Sequence, residues 1–290
     1  MAANSVILFC VAGLIKEKMR KLTKTYERIG LYISRLMIHR GDRQIKHLKL
    51  KEHQMLVFAN EDIGRQLNLY GKYEAEETSF FSKNIRAEDI CFDVGGNVGY
   101  FALLFAKLAS QGAVHVFEPI RLNASIIDVN AVLNGYKNIK INLTAVGDTS
   151  GTVSFTISKD SAYSSIYDTN RVPAAQVMVT PITTLDSYIE ENIISRVDII
   201  KIDVEGAEEI VLKGADKLFS NINSRPRIVL LELYEVNLRP FGTTSEKIVK
   251  RMEDLGYQTK VIAGKKGNLI PYSPKKHKNI YNIIFTAKKD

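Results

Sequence analysis

From about Ala75 to the C-terminus, short apolar runs alternate with amphipathic stretches in a regular order. "DICFDV" (Asp89 to Val94) reads as a buried strand, and the segment from about Val98 to Ala109 as the helix behind it. "AVHVFEP" predicts a second strand, with a helix from about Leu122 to Asn134, and "IKINLTAVG" a third strand. "GTVSFTIS" alternates at period two, and "QVMVTPITTL" can pair back with it across a polar loop. "VDIIKIDVEG" is a fourth strand, followed by a helix from about Ala207 to Phe219. "RIVLLELY" is a fifth, with a helix from about Ser245 to Leu255. "YQTKVI" and "IYNIIFTAK" have no helical pattern between them, so they read as an antiparallel hairpin at or near the sheet edge.

Strands alternating with helices argue an α/β fold, with a mostly parallel sheet covered on both faces. The expectation is a doubly wound, Rossmann-like domain over residues 75–290. Its seven-stranded sheet ends in the antiparallel hairpin. A dinucleotide-binding fold has six parallel strands instead, which counts against a nicotinamide-dependent oxidoreductase. Ahead of the domain, residues 1–74 read as a basic, helical N-terminal extension. Residues 1 to about 45 are helical in pattern, and 46 to 75 suggest short strands or turns around "QMLVFAN".

Composition narrows the class. The chain has 290 residues, 45% of them apolar and 25% charged, as in a soluble globular protein. Cys10 and Cys91 make no disulfide framework and match no zinc spacing, so a reducing, cytoplasmic setting is expected. The formal charge is +8, and residues 1–74 carry 14 Lys and Arg against 7 Asp and Glu. The basic character therefore belongs to the N-terminal quarter. Val6 to Ile15 is too short an apolar run to span a bilayer, and no Lys or Arg precedes it as in a signal peptide. Ile29, Tyr32, Ile33, Leu36 and Met37 recur at helical spacing among basic residues. That pattern fits peripheral contact with an anionic membrane surface, and equally a helix packed on the core with a solvated basic face. Nucleic acid is not expected as a partner, since no aromatic-basic interleaving accompanies the charge.

The chemistry concentrates in "CFDVGGNVGYF". Asp93 ends the first strand, and Gly95, Gly96 and Gly99 let the backbone pass close to a ligand. Glu118 follows roughly 20 residues later at the end of the second strand, where an acid can take hydrogen bonds from ribose hydroxyls. No Gly-Lys-Ser/Thr pair follows, so the turn is not a P-loop. A nucleoside-type ligand is favoured over a simple phosphate.

These residues, with "LNASIIDVNAVLNG", "LTAVGD", "TTLDSYI", "VDIIKIDVEGAEEIVLKGA" and "RIVLLEL" in that order, resemble FkbM-type S-adenosylmethionine-dependent methyltransferases. The resemblance covers roughly residues 75 to 290 and implies a class I methyltransferase fold. It implies that Asp93, Gly95, Gly96, Asn97 and Gly99 wrap the methionine part of S-adenosylmethionine. Glu118 would hold the ribose, and Ala145, Val146 and Gly147, with Asp148, would border the adenine. Asp203 would lie near the cofactor amino group and the transferred methyl. The sequence departs from the family at Gly96, where alanine is more usual; that change is not expected to harm binding.

The implied reaction is O-methylation of a hydroxyl on a glycan, a lipid-linked sugar or a related metabolite. A sugar hydroxyl needs a base or a metal to ease its proton loss. Asp203, Glu205 and Glu232, at or near strand ends, are the candidate catalytic carboxylates. They are also a set of oxygen ligands that could take a divalent cation such as magnesium. Helix capping explains Glu205 about as well as catalysis does, Glu208 reads as a first-turn helix acid, and His115 as a satisfied core histidine. The polar loop Ser158 to Arg171 is a candidate lid through Tyr163, Ser164, Ser165 and Arg171, or a plain solvated hairpin loop. A non-catalytic, membrane-associated binding protein on the same fold is the other open reading.

Overall fold

The computed structural model describes residues 44–288, apart from 168–171, 223 and 265. The predicted helical pattern of residues 1–43 and the loop position Arg171 lie outside the described residues.

Chain order begins with a hairpin, β1 (Ile45–Lys49) and β2 (Gln54–Phe58), then α1 (Asp62–Tyr70) and α2 (Ala75–Asn84). The alternation follows as β3 (Ile90–Val94), α3 (Tyr100–Leu108), β4 (Ala113–Phe117), α4 (Arg121–Asn134) and β5 (Ile139–Asn142). A side sheet is built from β6 (Ala145–Val146), β7 (Gly151–Ser158) and β8 (Ala174–Thr183). Next come α5 (Leu185–Glu191), β9 (Ile199–Ile202), α6 (Glu208–Lys213), α7 (Asp216–Ser220), β10 (Ile228–Glu232) and α8 (Glu235–Leu238). The chain closes with α9 (Ser245–Asp254), β11 (Tyr257–Ala263), β12 (Asn268–Pro271) and β13 (Asn282–Ala287).

The main sheet has the order β12-β11-β13-β10-β9-β3-β4-β5. From β10 through β9, β3 and β4 to β5 every pairing is parallel. Strand β13 slots antiparallel between β10 and β11, so β11 runs with the parallel set. Strand order reverses between β3 and β9, and the carboxyl ends of strands at such a reversal form a ligand crevice.

Several expectations need correction. The sheet has eight strands, not seven, because β12 adds to the outer edge of β11. Its residues are mostly exposed and end in Pro271, so no buried pattern marks it. The predicted third strand is broken: Thr144 turns the chain by donating to the Asn142 carbonyl at 2.9 Å, and Ala145 and Val146 join the side sheet instead. The helix expected over 207–219 is split, because the Gly214 backbone packs directly on the Gly147 carbonyl; a Cβ there would lie 1.9 Å from that oxygen. Helices α1, α2 and α5 were not anticipated, whereas the hairpin falls where short strands or turns were expected around "QMLVFAN".

That hairpin is packed into the domain core. Met55, Val57 and Phe58 are at most 1% exposed and share one cluster with Phe81, Phe101 and Phe105. The fully buried Asn130 side chain accepts from Leu56 N–H at 2.6 Å and donates to the Leu56 and Val98 carbonyls at 3.0 and 3.1 Å. One side chain thus ties the hairpin to the start of the glycine turn's helix. The opposite face of the sheet buries Phe92, Ile200, Ile202, Val229 and Phe285 against α5 to α7 and α9. Among the described residues, no helix is long and apolar enough to cross a membrane.

Candidate active site

A cavity of about 450 Å³ opens at the carboxyl ends of β3, β4, β9 and β10. That volume is within the range of small-molecule sites, roughly 300–1,000 Å³. Its first half is the turn after β3, the end of β4 and the start of β6. Asp93, Gly95, Gly96, Asn97, Glu118, Ala145 and Val146 all line it. Its other half brings Asp203, Glu205 and Glu232 together with Lys201, and with Asp62, Tyr73 and Glu74 from the segment before the domain.

The turn needs its glycines. Gly95 has φ +86°, and a Cβ on it would lie 1.9 Å from the Asp203 carbonyl oxygen. The two strand ends therefore approach as closely as backbone allows. Gly96 sits over Val116, whose Cγ1 would be 2.2 Å from an added Cβ. Asn97 adopts φ +47°, a left-handed conformation that asparagine tolerates. Gly99, also left-handed, faces Ile127 of α4 and does not line the cavity. Gly147 and Asp148 also lie off it.

Glu118 is 4% exposed, and each of its oxygens accepts a backbone N–H at 2.8 Å, from Asn97 and from Ile120. Burial still pushes its carboxyl up to about 8, against those bonds. Asp93 is 1% exposed, and burial raises it to about 6 even with Lys201 nearby and against a backbone hydrogen bond from Ala102. Lys201, 3% exposed, donates to Asp203 Oδ2 at 2.7 Å. Burial alone would lower its pKa, but Asp203, Glu74 and Asp93 outweigh that and raise it.

The three candidate catalytic carboxylates each offer an oxygen within 4.8 Å of the others. Glu205 adopts φ +55° and its Oε2 accepts from Asn237 Nδ2 at 2.6 Å. Glu232 Oε2 is buried without a partner. Burial, then Asp203 and Glu205, push the Glu232 carboxyl well above the usual carboxylate range. Glu208 lies off the cavity and accepts from the Val204 and Gly206 backbone N–H groups at 3.1 and 3.2 Å, holding the loop after β9. His115 is a core histidine bonded to the Tyr188 hydroxyl at 2.8 Å.

Tyr163 and Ser164 line the cavity, whereas Ser165 is tied to the Val204 carbonyl at 2.9 Å. The loop is anchored to α1 and the residue before it. Ser161 bonds the buried Glu61 carboxylate, and Asp160 accepts from Asp62 N–H at 2.8 Å. Sequence reasoning missed this whole wall, from Asp62 through Glu74. Glu74 precedes a helix, where an acid reads as an ordinary helix-start charge.

This topology and cleft define an S-adenosylmethionine-dependent class I methyltransferase. Residues 93–259 match the model of the methyltransferase FkbM domain, and the chain belongs to that family. The 31-O-demethyl-FK506 methyltransferase FkbM of Streptomyces tacrolimicus is 27% identical over 184 residues, covering 53% of this chain and 68% of that relative. Methyltransferase 1 of Beauveria bassiana is 27% identical over 142 residues, covering 43% and 57%. Among solved structures, the O-methyltransferase from Bacillus cereus is 14% identical with a TM-score of 0.41, covering 74% of this chain and 80% of that one.

Proposed function

We propose that the chain transfers a methyl group to a hydroxyl of a glycan, a lipid-linked sugar or a related hydroxylated metabolite. The observation carrying this reading is the convergence of Asp203, Glu205 and Glu232 within 4.8 Å, beside the glycine turn. The residues present fit S-adenosylmethionine: the backbone of Gly95, Gly96 and Asn97 lines the cavity, Glu118 can take a ribose diol, and Asp93 and Asp203 offer acid oxygens to a cationic ligand. When bound, that cofactor supplies an electrophilic methyl on a sulfonium centre. The chain's own task is then to align the acceptor oxygen and to take its proton. Asp203 and Glu232 line the cavity, and an ionised carboxylate there can accept the proton of a hydroxyl.

A divalent cation such as magnesium deepens this reading, because three carboxylate oxygens at this spacing suit a hard cation with oxygen ligands. It would hold Glu232 ionised and acidify the acceptor hydroxyl. The name of the Streptomyces relative specifies 31-O-demethyl-FK506, which supports oxygen as the acceptor atom here. Contact of the basic N-terminal residues with an anionic membrane surface is part of the same proposal, resting on their charge.

The test is a panel of hydroxylated acceptors with a labelled methyl donor, run with magnesium and with EDTA. The reading expects labelled ether product, lost in Asp203→Asn and reduced by EDTA. Label on nitrogen or carbon acceptors alone would refute the hydroxyl assignment, and equal rates in EDTA would refute the cation.

A further inference from the structure

Three carboxylates converge on one lysine beneath the cavity floor. Lys201 lies with its ammonium 5.0 Å from the centre of the Phe101 ring, bonded to Asp203 and attracted by Glu74 and Asp93. An ammonium carries three N–H donors, and Asp203 is its one hydrogen-bond partner among the described residues. Oε2 of Glu74 is shut from solvent without a hydrogen-bond partner, and burial raises the Glu74 carboxyl to about 8 even with the Lys201 ammonium close by. One buried ammonium does not offset three buried carboxyls, so Glu74 holds its proton more tightly than it would in water. Among the described residues lining the cavity, Lys201 is the one basic side chain.

Glu74 is held in place by its backbone. It stands at the start of α2 with φ +39° and ψ 66°, a left-handed conformation unusual for a side chain of this size. Its carbonyl accepts from Thr78 N–H at 2.8 Å. The Thr78 hydroxyl donates to the Tyr73 carbonyl at 3.0 Å and meets the Tyr100 hydroxyl at 3.1 Å. This lock holds the Glu74 carboxyl in the cavity lining, close enough to the Lys201 ammonium and the Asp203 carboxylate to feel both charges.

We propose that Glu74 receives the α-ammonium group at the amino-acid end of S-adenosylmethionine. The cofactor site then extends into the segment ahead of the matched domain, which begins at residue 93. An ammonium beside Glu74 would give its Oε2 a charge-assisted bond and favour the ionised carboxylate. The inference rests on the cofactor reading above.

Isothermal titration of the full chain and of Glu74→Gln distinguishes the roles, using three nucleosides. S-adenosylmethionine carries both ammonium and sulfonium, S-adenosylhomocysteine keeps the ammonium alone, and 5′-methylthioadenosine lacks the amino-acid end. Glu74→Gln should weaken the first two at least tenfold, by the same factor, and leave the third within twofold. Equal weakening of all three would make Glu74 a structural residue, and no weakening would remove it from the site. Weakening of S-adenosylmethionine alone would place Glu74 at the sulfonium; each of these three results overturns the proposal. If Glu74→Gln melts early, Glu74→Asp gives the same comparison with the charge retained but withdrawn by one methylene. Failure of the unsubstituted chain to bind any of the three sinks the cofactor reading itself, and this inference with it.

Discussion

Gly96→Ala isolates a pairing that the family resemblance alone does not show. Gly96 is not in the left-handed region, so alanine meets no backbone strain; its Cβ instead meets Val116 Cγ1 at 2.2 Å and Ile127 Cδ1 at 3.4 Å. Only the first contact is a clash. Overpacking of this kind costs about 1–3 kcal/mol, offset by about 0.4–1 kcal/mol from the stiffer unfolded chain. The single substitution should therefore destabilise by about 1–2 kcal/mol. Val116 is fully buried, and Val116→Ala removes two methyl groups and leaves a cavity, costing about 2–3 kcal/mol. In the double variant the new Cβ takes the place Cγ1 vacated. The combined loss should fall short of the sum by at least about 1 kcal/mol, as expected for residues in contact. Urea unfolding of the wild type and three variants measures this directly. Additivity to within about 0.5 kcal/mol would refute the argument. An alanine at this position in relatives then implies a smaller partner across from it, not a tolerant turn.

Two further outcomes follow from the same geometry. Asn130→Ala leaves three buried backbone groups of Leu56 and Val98 without partners, and should cost about 3–5 kcal/mol in urea unfolding; a loss under about 1 kcal/mol would mean that the hairpin is not integral to the domain. Stability of the cofactor-free protein should fall between pH 7 and pH 9. The Glu118 and Glu74 carboxyls, both raised by burial to about 8 from an ordinary 4.5, hold their protons more tightly folded than unfolded, so their contributions are full below about 4.5 and lost as pH climbs through 8. His53 and His115, lowered to about 4 by burial, act in the opposite sense but only up to about 6.5, below this window. Glu118→Gln should flatten the slope, and a wild-type midpoint rising with pH would contradict the assignment.

The sequence carried the parallel core well because its strands are buried on both faces and read as apolar runs, interrupted in β9 by Lys201: Ile199 to Ile202 and Ile228 to Leu231 are at most 5% exposed. The place of Asp93, the turn and Glu118 in the cavity lining was legible for a related reason, since strand ends fix them there. Strand β12 was illegible because an exposed edge strand ending in proline has no apolar alternation to read. The Asp62 to Glu74 wall was illegible for a different reason. Its function arises from folding a distant segment over the sheet, and nothing local in "GKYEAEET" distinguishes a helix-start acid from a cavity acid. The break at Gly214 depended likewise on Gly147, a partner 67 positions away.

The central claim is that this cleft binds a sulfonium nucleoside. Isothermal titration of the purified chain with S-adenosylmethionine and, separately, with NADH tests it, repeated for Glu118→Ala and Asp93→Ala. The account predicts binding of S-adenosylmethionine alone, weakened in both folded variants. Binding of NADH in place of S-adenosylmethionine would contradict it.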